Sequence, residues 1–119
     1  MTASAHATQI AKIAAQAAHD KKAENIALLD VSEQLVITDI FVIASAANER
    51  QVSAIVDAIE EALAAQDVRP IRREGEREGK WVLLDYFDIV VHVQQEQERT
   101  LYDLERLWRD CPHIPVELV

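Results

Sequence analysis

Hydrophobic positions recur along this chain with the two-residue period of strands in some stretches and the longer period of helices in others. The sharpest stretch is residues 79–93, GKWVLLDYFDIVVHV, where two apolar runs, 81–84 and 89–93, are separated by Asp85, Tyr86, Phe87 and Asp88. Each run has strand length and is rich in β-branched and aromatic residues. The break carries a polar residue at either end, so the pair predicts an antiparallel hairpin with a short turn. In the second run Ile89, Val91 and Val93 share one face, and Asp88, Val90, His92 and Gln94 the other. The first run does not alternate in character: Trp81 and Leu83 point one way, Val82 and Leu84 the other, and all four are apolar. Either both faces are buried or one apolar face is left for a partner.

Around this hairpin the same reading places the other elements. Ile10, Ile13, Ala14 and Ala17 stand at helical spacing and predict a helix over 5–19, ended by Asp20-Lys21-Lys22. A strand follows over 25–31, a turn over 32–34, and a second strand over 36–46, interrupted by Thr38 and Asp39. Its unbroken run 40–44 suits a central strand buried on both faces. Asn48 can open a helix by accepting from the N–H of Gln51, with Gln51 reaching back. The apolar stripe of that helix is Val52, Ile55, Val56, Ile59 and Leu63. A short strand is expected over 68–72, with Pro70 at its edge or start, then a charged loop over 73–80 holding both glycines. The last helix is expected over 96–109, with Leu101, Leu104, Leu107 and Trp108 inward. The order α-β-β-α-β-β-β-α predicts one α/β domain over 1–119, about five strands in a mixed sheet with helices packed on it. Residues 1–4 and 111–119 are expected to be loosely attached tails.

Composition narrows the function. The 119 residues are half hydrophobic, enough for a single core, and carry a net charge of −9. Nucleic-acid binding draws its affinity from Lys and Arg neutralising phosphates. The one basic cluster, 69–73, is followed at once by Glu74, Glu76 and Glu78, so direct DNA or RNA binding is disfavoured. A basic protein surface is the better electrostatic match. The lone Cys111 cannot form an internal disulfide, and no cysteine or histidine stands at metal-ligand spacing from it. No apolar run reaches membrane-spanning length and no secretory signal is visible, so a cytoplasmic location is expected.

Candidate chemistry is sparse. Gly75 and Gly79 bracket a loop whose acids would repel a phosphate rather than cradle it. Asp39, Asp85 and Asp88 could hold a divalent cation for phosphoryl transfer, but Asp at both ends of a turn is also ordinary turn chemistry or a source of partner salt bridges. His92 fits a hydrogen-bonded structural histidine better than a general base. Ser45 lacks the flanking glycines of a nucleophile turn. No catalytic set, metal site or cofactor site is complete. Trp81 opens its strand after a charged loop, and that strand lacks a polar face. A partly exposed binding anchor is favoured for it over core packing. Tyr102 falls off the stripe of the last helix, free to reach a partner or cap the sheet edge.

Several segments in register resemble one family. They are Ile26-Ala27-Leu28-Leu29-Asp30-Val31, Thr38-Asp39-Ile40-Phe41-Val42-Ile43, Asn48-Glu49-Arg50-Gln51-Val52, Glu74-Gly75, Trp81-Val82-Leu83-Leu84-Asp85-Tyr86, Asp88-Ile89-Val90-Val91-His92-Val93 and Leu101-Tyr102-Asp103-Leu104-Glu105-Arg106-Leu107-Trp108. Their order and spacing resemble the ribosomal silencing factor (Iojap) family over nearly the whole chain. The resemblance implies a nucleotidyltransferase-like fold without enzymatic activity. It also implies docking on the large ribosomal subunit through its protein number fourteen, blocking small-subunit joining and repressing translation when nutrients are short. Carried over by position, Trp81 would be the anchor, with Val82, Leu83, Glu74, Asp85, Asp88 and Tyr102 around it. Phe87 and Ala46 stand where many members have glycine, which puts the turn type at Phe87 in question. Two other readings remain open: a metal-dependent nucleotidyltransferase-like enzyme, and a homodimer formed through the hairpin face.

Overall fold

The computed structural model describes residues 2–119. Helix α1 (Ala5–Asp20) begins where the Ser4 hydroxyl accepts the N–H of Ala7 at 3.0 Å. Ala7, Ala11, Ala14, Ala15 and Ala18 are fully enclosed, and these small side chains let the helix lie close to its neighbours. Strands β1 (Glu24–Asp30) and β2 (Ile40–Ala46) lead to α2 (Glu49–Ala64). Asn48 caps α2 by accepting the N–H of Gln51 at 2.9 Å. The expected reach-back from Gln51 lands one residue earlier, on the N–H of Ala47, while its amide nitrogen donates to the carbonyls of Lys21 and Lys22. One glutamine thus joins the end of α1 to the start of α2. The predicted stripe Val52, Ile55, Val56, Ile59 and Leu63 is the set α2 buries. Truncating one of the large members to alanine would cost about 2–5 kcal/mol.

Strands β3 (Arg72–Glu74), β4 (Trp81–Asp85) and β5 (Ile89–Gln95) complete one five-stranded sheet in the order β1-β2-β5-β4-β3. The β2–β5 pair is parallel and the other three are antiparallel, so the sheet is mixed as expected. Residues Val42 and Ala44 of β2, Val82 and Leu84 of β4, and Val91 and Val93 of β5 join the core that includes α1 and α2. Leu29, Phe41 and Ile43 belong to a second, smaller cluster with Val31 and Cys111, against which Leu104 and Trp108 pack.

Four expectations need correction. The second strand starts at Ile40, not residue 36: Val36 is wholly exposed and Ile37 is 72% exposed, because the N–H of Asp39 is donated to Asp88 and the chain only then joins β5. The strand expected over 68–72 lies at Arg72–Glu74, the residues that find partners on β4. The single helix expected over 96–109 breaks at Asp103, whose φ of 43° and ψ of 60° are left-handed, into α3 (Glu96–Tyr102) and α4 (Leu104–Leu107). Leu101 and Leu107, expected inward, are therefore turned out at 70% and 71% exposure. Nor is 111–119 a loose tail. The N–H of Asp30 reaches Pro112 and the N–H of Ile114 reaches Leu28, both at 2.8 Å, which covers part of the open edge of β1. Val119 and Gln16 exchange two hydrogen bonds. At the other end, Ala3 and Ser4 donate their N–H groups to Asp30 and Asp39, and Met1 of the expected 1–4 tail lies outside the described residues.

Candidate docking surface

The sheet face opposite α1 and α2 carries a band of five aromatic rings. Trp108 lies edge-on to Phe41 with centroids 5.4 Å apart, and Phe41 lies edge-on to His92 at 5.0 Å. His92 meets Trp81 at 5.9 Å, and Trp81 meets Tyr102 of α3 at 4.8 Å. The band crosses β2, β5 and β4 obliquely on one face: Phe41 is in register with Val90, two residues before His92, and Trp81 with Gln94, two residues after it. Trp81 is half-buried, held between His92 and Tyr102, and its indole N–H is donated to His92 Nδ1 at 3.1 Å.

The start of β4 is pinned twice by one residue at the end of β5. Gln95 donates its backbone N–H to Lys80 and its side-chain amide to the Gly79 carbonyl, each at 2.9 Å. Leu83, two residues on from Trp81, is also half-buried. Tyr102 is 53% exposed, and Leu101 and Leu107 stand open on α3 and α4. A hollow of about 240 Å³ beside the indole is lined by Gly75, Glu78, Lys80, Glu98 and Tyr102.

The structure thus brings Trp81, Leu83 and Tyr102 together, with Glu74 opposite Leu83 on β3. Val82 is 2% exposed and faces the helices, so it supports the strand and offers nothing to a partner. Asp85 and Asp88 sit at the turn end of the hairpin, roughly 13 Å along the strand from Trp81. Asp85 accepts the N–H of Phe87 at 2.9 Å and approaches Arg72 at 3.4 Å. Asp88 lies 3.7 Å from His6. Asp39 accepts the N–H of Ser4 at 2.8 Å. Each of the three acids thus has its own neighbour, and among the described residues no group of three His, Cys, Asp or Glu could hold a metal ion.

Two features escaped the sequence. Leu101 and Leu107 read as core because nothing in the helical pattern announces the break at Asp103. Arg99 is the hub beneath that break: it donates to Ser45 Oγ at 2.8 Å and to Glu105 at 2.9 Å, and it also reaches the Asn25 carbonyl. Burial pushes the Cys111 thiol up, and nearby Asp30, Asp110 and Glu33 push it the same way, so it stays protonated.

Fold and site together define a small α/β domain with an aromatic, partly open sheet face. The family model described as "Ribosomal silencing factor during starvation" matches residues 4–119, and the chain belongs to that family. It is 41% identical over 103 residues to the ribosomal silencing factor RsfS of Bacillus subtilis, covering 87% of each chain. It is 37% identical over 109 residues to the RsfS of Halalkalibacterium halodurans, covering 92% of this chain and 93% of that one. A crystal structure of a Chromobacterium violaceum protein, 33% identical, superposes with a TM-score of 0.83 over 94% of this chain and 92% of that one.

Proposed function

We propose that this chain is a non-enzymatic, cytoplasmic anti-association factor. It docks on protein number fourteen of the large ribosomal subunit, occludes the small subunit and so represses translation under nutrient limitation. The observation that carries the reading is the half-buried Trp81, held in place with the half-buried Leu83 and the exposed Tyr102 beside it. Rigid aromatic anchors with apolar surroundings are what hot spots of protein interfaces are made of. The net charge of −9 supports the same reading, since it keeps the factor off rRNA and favours a basic protein surface. Glu74 is an exposed acid at the rim of that face. Co-sedimentation with purified large subunits tests the proposal. Pelleting at moderate salt, together with a reduced yield of joined ribosomes when small subunits are added, is the expected result. Failure to pellet overturns it.

A further inference from the structure

We propose that His92 is a positioning residue for docking. By accepting the indole N–H of Trp81 on Nδ1, it fixes the plane of that ring before a partner arrives and leaves apolar ring surface as what the ring offers. The inference rests on the docking reading above and names what the partner must supply: an apolar pocket with no acceptor for the indole.

The geometry around the two rings carries it. The indole has one polar atom, and it is committed inside the chain at 3.1 Å. Accepting at Nδ1 requires that the imidazole carry its proton on Nε2. That Nε2 is buried without a hydrogen-bond partner. Gln94, the next residue on the same face and the register partner of Trp81, is fully buried with both amide atoms unpartnered. Unpaired buried polar atoms destabilise a fold. An apolar residue at position 92 would therefore pack at little cost, and the thing it would lack is the acceptor. Phe41 braces the imidazole edge-on from β2, and Tyr102 braces the far side of the indole from α3. With the ring held on both sides and by a hydrogen bond, the entropy of ordering it is met during folding rather than at docking. Burial lowers the His92 pKa to about 4, so the acceptor stays available across the neutral range.

The test has two arms. In the free, isotope-labelled protein, the Trp81 indole proton is identified by its absence in Trp81→Phe, and its exchange with solvent is followed by NMR. We expect exchange at least about tenfold faster in His92→Leu and close to wild type in His92→Asn, whose Oδ1 can replace Nδ1 as acceptor. In the second arm, His92→Leu binds large subunits about fivefold to tenfold more weakly although its urea midpoint is equal to or above wild type. In a Trp81→Phe background the same change causes no further loss. Unchanged indole exchange in His92→Leu overturns the proposal. So does unchanged binding despite faster exchange, or an equal loss of binding in the Trp81→Phe background, which would mark a general structural role. If wild type itself does not bind, the docking reading fails and the proposal with it, whatever the first arm reports about the hydrogen bond.

Discussion

Gly75 lies so close to the carbonyl of Trp81 that a methyl group built on it would overlap that oxygen. Its φ of 86° is also in the left-handed region. The loop before β4 can therefore close over the start of the strand only with glycine at this point. Gly75→Ala is expected to destabilise the fold by about 2–4 kcal/mol, combining backbone strain with a clash that must displace Trp81. Urea unfolding measures it, and large-subunit binding at a temperature where the variant stays folded should fall as well.

Trp81→Ala removes the ring between His92 and Tyr102 without opening the core behind Val82. Binding to large subunits should weaken by about 2 kcal/mol or more, close to thirtyfold, as for a hot-spot residue. Titration of labelled protein against purified subunits checks it. An unchanged affinity in a folded variant would remove Trp81 from the interface.

Phe87 sits at φ 73°, and the N–H of Asp88 is donated back to the carbonyl of Tyr86 at 2.9 Å, which closes a γ-turn centred on the phenylalanine. The ring is 62% exposed, so little packing offsets the strain. Phe87→Gly should therefore stabilise the protein by about 0.5–1 kcal/mol, a rise of roughly 2–5 °C in Tm. Scanning calorimetry decides the matter, and a fall in Tm would mean that the aromatic contributes more than its exposure suggests.

His92 links stability to pH. Burial takes its pKa from 6.5 down to about 4 in the folded chain. Between those values the unfolded chain binds a proton that the folded chain refuses, so stability falls as pH drops from 6.5 towards 4. The loss reaches about 3 kcal/mol at the acid end of that window. Urea melts of wild type and His92→Leu at intervals from neutral pH down isolate this contribution from that of the carboxylates: the two curves should separate below neutral pH, with wild type losing more.

Arg99 holds the α3–α4 corner onto the sheet through Ser45, Asn25 and Glu105. Arg99→Met keeps the stem and strands those three partners. A loss of about 2 kcal/mol is expected, discounted from the full cost of breaking a buried pair because Glu105 is partly open to water. Faster amide exchange confined to α3 and α4 would show that the corner, not the sheet, has loosened.

Much of this was legible beforehand, and the exceptions have physical causes. The stripe of α2 and the faces of β5 follow from period alone. The exposed side of Trp81 was readable because no polar residue alternates along β4. The break at Asp103 was not, since residues 96–109 keep a helical pattern throughout. It is tertiary contacts of Arg99 that accompany a left-handed aspartate there. The placement of 111–119 was missed for a similar reason: an open strand edge calls for a cover, but local pattern does not say which segment supplies it. Asp85 and Asp88 were grouped with Trp81 through the family resemblance, and the extended β4 sets them at the other end of the hairpin from the indole.

The position of β5 has a consequence for how the chain is made. It lies between β2 and β4, yet its residues, Ile89–Gln95, are synthesised after all four of the other strands. Until they emerge, β2 has no neighbour on its inner side, and a nascent N-terminal half exposes a sticky, unpaired ribbon. Assembly must then wait until β5 has emerged, so premature termination before residue 95 should yield aggregating fragments rather than a smaller working unit.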